Sequence, residues 1–189
     1  MLNSFIHLID FIGHPSLNEE YLNKRRYEAL HSLILKNKIF TYTKLKLHKE
    51  DWSERSRDTE KFLEIMEKSI RDKNGTWIEV DEDIDVIELS CIMQDQGFKI
   101  TPKTNVIIGG TNLAGCILHN KKTSAYSFAN EGFNTQIYLP MCAEADSPGF
   151  NDLEKTWAAC SKVYNFIKSN KLIDRIDLVY NENHLIFDR

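Results

Sequence analysis

Cys116 is the residue of this chain best placed to act as a nucleophile, because the stretch NVIIGGTNLAGCILHN, Asn105 to Asn120, sets it where a strand gives way to a helix. Val106 to Ile108 is a β-branched run suited to a strand buried on both faces, and Gly109 and Gly110 close it. From about Ala114 to Asn130 the apolar residues Ile117, Tyr126, Phe128 and Ala129 fall among small and polar ones, and Gly132 follows as a helix stop. The spacing therefore puts Cys116 in the first turn of a helix. Unpaired backbone N–H groups and the positive end of the helix dipole favour a thiolate there. The same N–H groups suit an oxyanion. The bland alternative is a cysteine packed as a small hydrophobe.

A thiol nucleophile needs a base to take its proton. Asp10 closes the apolar run FIHLID, at the C-terminal end of a first expected strand. Among neighbours such as Ile9 and Phe11 a carboxyl group has a raised pKa, which suits proton transfer near neutral pH. Otherwise Asp10 is a capping or ion-paired aspartate. His7 and His14 flank it without a spacing partner that defines a site. The stretch LKLHKEDW offers His48, Glu50 and Asp51 but no second histidine nearby, whereas a divalent site needs three or four convergent ligands. Neither a metal nor a cofactor is expected. His48, Trp52 and Leu113 are candidate pocket residues, with surface or packing roles as the plainer readings. GGTNLAG lacks both the GxGxxG spacing and the GK[ST] ending of a phosphate loop.

The elements that must position these residues alternate between strand and helix patterns. Ser4 to Phe11, Ile39 to Leu47, Trp77 to Val80, a strand from Asn105, Thr135 to Leu139 and Ile173 to Val179 read as strands. Asn18 to Lys36 carries Tyr21, Leu22, Leu30, Leu33 and Ile34 at helical spacing, and Thr59 to Arg71, Ile84 to Gln96 and Asn151 to Lys168 read likewise. This pattern predicts an α/β, three-layer sandwich with a six-stranded, mostly parallel, Rossmann-type sheet. Sites in such sheets form at the strand C-termini.

Composition sets outer bounds. With 189 residues, 42% of them hydrophobic, the chain can bury a full core, and one domain over 1–189 is expected. A formal charge of −4 gives no bulk attraction to nucleic acid or to anionic membrane. Cys91, Cys116, Cys142 and Cys160 are widely spaced, with no CxxC pair, which suggests reduced thiols and a cytoplasmic location. The apolar patch from Phe5 to Ile12 is interrupted by His7 and Asp10 and lacks the form of a leader, and no run reaches the length of a membrane span.

Gly110, Cys116 six positions on, Ile117, an alanine-bearing helix, Gly132-Phe133, a strand and an acidic cluster together resemble the isochorismatase-like cysteine hydrolases, a family that includes the nicotinamidases. The match covers about forty residues of the chain. The resemblance implies a nonproline cis peptide joining Thr111 to Asn112, an oxyanion hole of the Asn112 and Cys116 backbone N–H groups, and Asp10 as the catalytic aspartate. It also implies a lysine just after the third strand, and here the chain departs from the pattern. Trp77 to Asp83 contains no lysine, and Glu79 is the nearest positional match. A carboxylate there opposes a thiolate. Lys44, Lys46, Lys73 and Lys103 are the candidate replacements, each also readable as a solvated surface lysine. Cys142, Glu144 and Asp146 resemble the acidic turn after the fifth strand, which in the family shapes pocket walls and subunit contacts.

The reading is therefore a divergent cysteine hydrolase acting on a small amide or related C–N bond through a Cys116 thiolate and an acyl-enzyme. The resemblance further implies a small-molecule substrate and assembly as a homodimer or homotetramer. The alternative, motivated by the missing lysine, is a catalytically degenerate relative that binds or interacts without chemistry.

Overall fold

The computed structural model describes residues 2–9, 19–44, 55–143, 153–181 and 184–185. Within them the chain alternates as expected: β1 (Ser4–Ile9), α1 (Glu19–Ile34), β2 (Ile39–Lys44), α2 (Arg55–Asp72), β3 (Thr76–Asp81), α3 (Val86–Asp95) and β4 (Asn105–Thr111). A π-helix (Leu113–Asn120), α4 (Ala125–Asn130), β5 (Asn134–Ala143), α5 (Leu153–Ser169), β6 (Ile176–Asn181) and the short β7 (His184–Leu185) complete it. The strand order is β3-β2-β1-β4-β5-β6-β7. Strands β1 to β6 are all parallel, and β7 adds an antiparallel edge that the sequence pattern did not predict.

Alternation along the strands divides the core into two layers. Phe5 and Ile9 of β1 and Val106 and Ile108 of β4 pack on one face, with Leu89 of α3, Ile117 of the π-helix, Phe128 of α4 and Val163 of α5. Ile6 and Leu8 point to the other face, with Leu30 and Leu33 of α1, Phe40 of β2 and Met66 of α2. Burying these side chains from both sides is what a fully parallel sheet requires. None of the described helices is long and apolar enough to cross a membrane.

Two features shape the carboxyl edge of the sheet. Along β4 and β5 the register pairs Ile108 with Ile137 but Gly110 with Cys142, so two residues of β4 span five of β5. The excess contains Pro140, which has no N–H to give to a ladder and is tolerated at such a bulge. Past it β5 runs on to Ala143, well beyond the Leu139 limit expected from the sequence. The single helix expected over 114–130 is instead two, because Ser124 starts α4 afresh by accepting a hydrogen bond from the Ser127 N–H.

His7 is a polar residue completely buried in the middle of the sheet. Its Nδ1 lies 2.7 Å from Thr41 Oγ1 and its Nε2 3.4 Å from Thr43 Oγ1. The Thr41 hydroxyl donates to the Ile6 carbonyl, so it accepts from Nδ1–H, which leaves Nε2 to accept from Thr43. Desolvation holds the imidazole neutral, with its pKa lowered to about 3. The unfolded chain takes a proton there near the ordinary value and the folded chain does not. Stability from His7 is thus fully present above the ordinary histidine pKa and falls as the pH drops toward about 3. Urea unfolding at pH 7 and pH 5 is expected to show a loss of roughly 2 kcal/mol from this residue. His7→Asn should make the acid dependence shallower, and an unchanged slope would refute the assignment.

Candidate functional site

Ligand sites in open parallel sheets lie beyond the strand C-termini where the strand order reverses, which in this sheet is the junction of β1 and β4. Both strands arrive there in register, with Ile9 paired to Gly110. Gly110 is required by that closeness: a Cβ on it would sit 1.8 Å from the Ile9 carbonyl oxygen. The next residue after Ile9 is Asp10, and the next after Gly110 is Thr111. Asp10 lies outside the described residues, as do His14, Lys46, His48, Trp52, Glu144 and Asp146.

After Thr111 the chain reverses at Asn112, which is left-handed with φ 63° and ψ 72°. Asparagine tolerates this conformation better than most residues. No cis peptide bond occurs among the described residues, so Thr111 and Asn112 are joined in trans, against the expectation drawn from the resemblance. The turn is made by the left-handed residue instead. The Asn112 carbonyl then accepts from the N–H groups of both Gly115 and Ile117, each at 3.2 Å. The second of these spans five residues, the wide spacing of a π-helix, a form concentrated at functional sites. Gly115 leaves room for the Asn112 side chain, whose Oδ1 would lie 2.4 Å from a Cβ at position 115.

Cys116 is half-buried in the first turn of this π-helix, where the sequence placed it. Leu113, a candidate pocket residue, is buried in the main core. All four cysteines are free thiols. Cys142 is buried at the end of β5 and donates to the Tyr138 carbonyl at 3.3 Å, and burial pushes the Cys160 thiol up, so neither has the setting of a nucleophile.

Glu79 does not follow the third strand, as the match to the family lysine expected it to. Glu79 lies inside β3, exposed and in register with Tyr42, because β3 extends to Asp81. The carboxylate that follows the strand is Glu82, and Lys121, just past the π-helix, pairs with it at 2.8 Å. Lys73 and Lys103 precede β3 and β4, at the opposite end of the sheet from Cys116. Lys44 ends β2 at the same end as Cys116.

Sequence reasoning missed Arg26. This α1 residue is only 2% exposed. Its Nε donates to the Met141 carbonyl and its Nη2 to Thr111 Oγ1, both at 3.3 Å. A guanidinium is thereby held at the ends of β4 and β5, beside the Asn112 turn. The signal was present in the helix pattern, since Arg26 falls four residues after Leu22 and four before Leu30, on the apolar stripe.

No group of three or more side chains able to hold a metal ion occurs among the described residues. The fold is an α/β sandwich of the Rossmann-like parallel kind, with a cysteine and a buried arginine at its switch point. Neither a protein-family model, a curated protein nor a solved structure matches the chain.

The β1–β4 approach yields a direct prediction. Gly110→Ala forces a methyl group into the Ile9 backbone, which cannot step aside as a flexible side chain would. A loss of ~3 kcal/mol or more in denaturant unfolding is expected. A variant as stable as the parent would show that the strands do not meet this closely.

Proposed function

We propose that the chain is a cysteine hydrolase acting on a small-molecule amide or related C–N bond. The observation that carries this reading is the position of Cys116: half-buried, in the first turn of a helix that leaves the central strand at the sheet's switch point. Helix N-terminal N–H groups stabilise both a thiolate and the oxyanion that its attack creates. The resemblance to isochorismatase-like hydrolases adds Asp10 as the base and the Asn112 and Cys116 N–H groups as oxyanion donors.

The chemistry runs in two halves. Asp10 takes the thiol proton, and the Cys116 sulfur forms a bond to the carbonyl carbon. The C–N bond then breaks, with the nitrogen leaving as an amine that carries the proton. Water attacks the resulting thioester, releasing a carboxylic acid and restoring the thiol. A homo-oligomer, a small-molecule substrate and a cytoplasmic location go with this reading through the same resemblance.

One observation favours a second reading, a binding protein that keeps the fold without the chemistry. The residues that follow β3 are the acidic Glu82 and Asp83, where the resemblance implies a lysine.

The two readings separate in the rate of iodoacetamide alkylation at Cys116, followed across pH by peptide mapping. A hydrolase should show a midpoint at least about one unit below the free thiol value of roughly 8.5, moving on Asp10→Asn. An unshifted or inaccessible thiol would leave the binding reading standing.

A further inference from the structure

We propose that the ion pair between Lys121 and Glu82 is a latch that holds the π-helix in its wide winding and thereby sets the position of Cys116. The inference rests on the hydrolase reading above and deepens it, adding two positioning residues that act through Cys116. π-Helices are rare and seldom exceed a single turn, so one that runs over eight residues has to be held from outside. Relaxed to α-helical spacing, with each hydrogen bond one residue shorter, the same segment would wind more tightly and turn Cys116 in another direction.

The segment is fixed at both ends. At its start the left-handed Asn112 closes the first wide turn, its carbonyl accepting from the Ile117 N–H. At its end Lys121 bonds in two directions. Its carbonyl accepts from the Ser124 N–H at 3.0 Å and from the Ser127 hydroxyl at 3.2 Å, and Ser124 is the N-cap of α4. Its Nζ donates to Glu82 Oε2 at 2.8 Å. Glu82 directly follows β3, and three residues on Asp85 caps α3 in a capping box completed by Glu88. The carboxylate thus stands on a turn fixed by a strand on one side and a capped helix on the other. Both side chains of the pair are only 19% exposed, which shields it from much of the screening that weakens a surface ion pair. His119 stacks on Phe166 of α5, and Tyr126 of α4 packs edge-on against the same ring, so those contacts hold the two helices to α5. The ion pair ties their junction to the β3–α3 turn instead.

Asp81 and Asp83 flank Glu82, and Lys122 follows Lys121, so charge at this junction is mixed and winding must be separated from charge. The test compares Lys121→Gln, Glu82→Gln and Lys121→Arg. Iodoacetamide alkylation of Cys116 is followed across pH by peptide mapping, with the exposed Cys91 of α3 as reference thiol in the same molecule. Acting by charge alone, loss of Lys121 would raise the Cys116 midpoint and loss of the Glu82 carboxylate would lower it. Acting as a latch, either loss frees the helix end. Both Gln variants should then raise the midpoint by about half a unit or more, and raise the plateau rate relative to Cys91 by about threefold. Lys121→Arg keeps the pair and should stay near the parent in both. A measurement on the parent alone does not depend on the folding of any variant: 1 M potassium chloride, which cuts the screening length to about 3 Å, should raise the Cys116-to-Cys91 plateau ratio by about twofold. Midpoints that move in opposite directions, a Lys121→Arg that behaves like Lys121→Gln, or a ratio that neither substitution nor salt moves would overturn the latch and leave the hydrolase reading standing. A parent midpoint equal to that of a free thiol sinks the hydrolase reading instead, and the plateau ratio then decides the latch by itself.

Discussion

The contact between the ends of β1 and β4 organises this molecule. A glycine at position 110 is what lets the β4 backbone press against the Ile9 carbonyl, and no side chain fits there. That contact fixes where Thr111 lies, and Thr111 is both the acceptor for Arg26 and the last residue before the left-handed turn at Asn112. From the turn follow the doubly used Asn112 carbonyl, the wide helical spacing and the half-buried position of Cys116. The bulge in β5 belongs to the same construction, since it lifts Cys142 and Ala143 level with Gly110 and Thr111 and presents the Met141 carbonyl to Arg26.

Polar groups buried in the sheet divide into two kinds. His7 is satisfied within the sheet by two threonine hydroxyls and is held neutral, so it specifies how β1 and β2 pair and costs stability only in acid. Arg26 is buried too, but it carries a permanent charge and lies at the edge of the sheet. A buried charge is costly unless its surroundings answer it. The Met141 carbonyl and the Thr111 hydroxyl are among the groups that answer it.

Much of the fold was legible in the sequence because parallel strands buried on both faces leave continuous apolar runs. FIHLI, NVII and TQIYL are such runs, and each is a strand. What escaped has physical reasons. Pro140 reads as a strand stop, yet a bulge accommodates it. A π-helix has no repeat that a search at helical or strand period can find, so Leu113–Asn120 merged with α4. Arg26 sat on an apolar stripe and went unread, because a charged side chain on a helix is ordinarily assigned to solvent. The placement of Cys116 at the strand-to-helix junction followed from the run Val106 to Gly110 and the helical pattern from Ala114 to the Gly132 stop. The cis bond came only from the resemblance, and the left-handed Asn112 takes its place.

The most direct measurement of the central claim is the pre-steady-state reaction with an activated acyl ester, p-nitrophenyl acetate, with the acylated residue located by peptide mapping. A nucleophilic Cys116 gives a burst of nitrophenol stoichiometric with protein, an acyl group on Cys116, and loss of both in Cys116→Ala. No burst, or an acyl group found instead on the exposed Cys91, would contradict it.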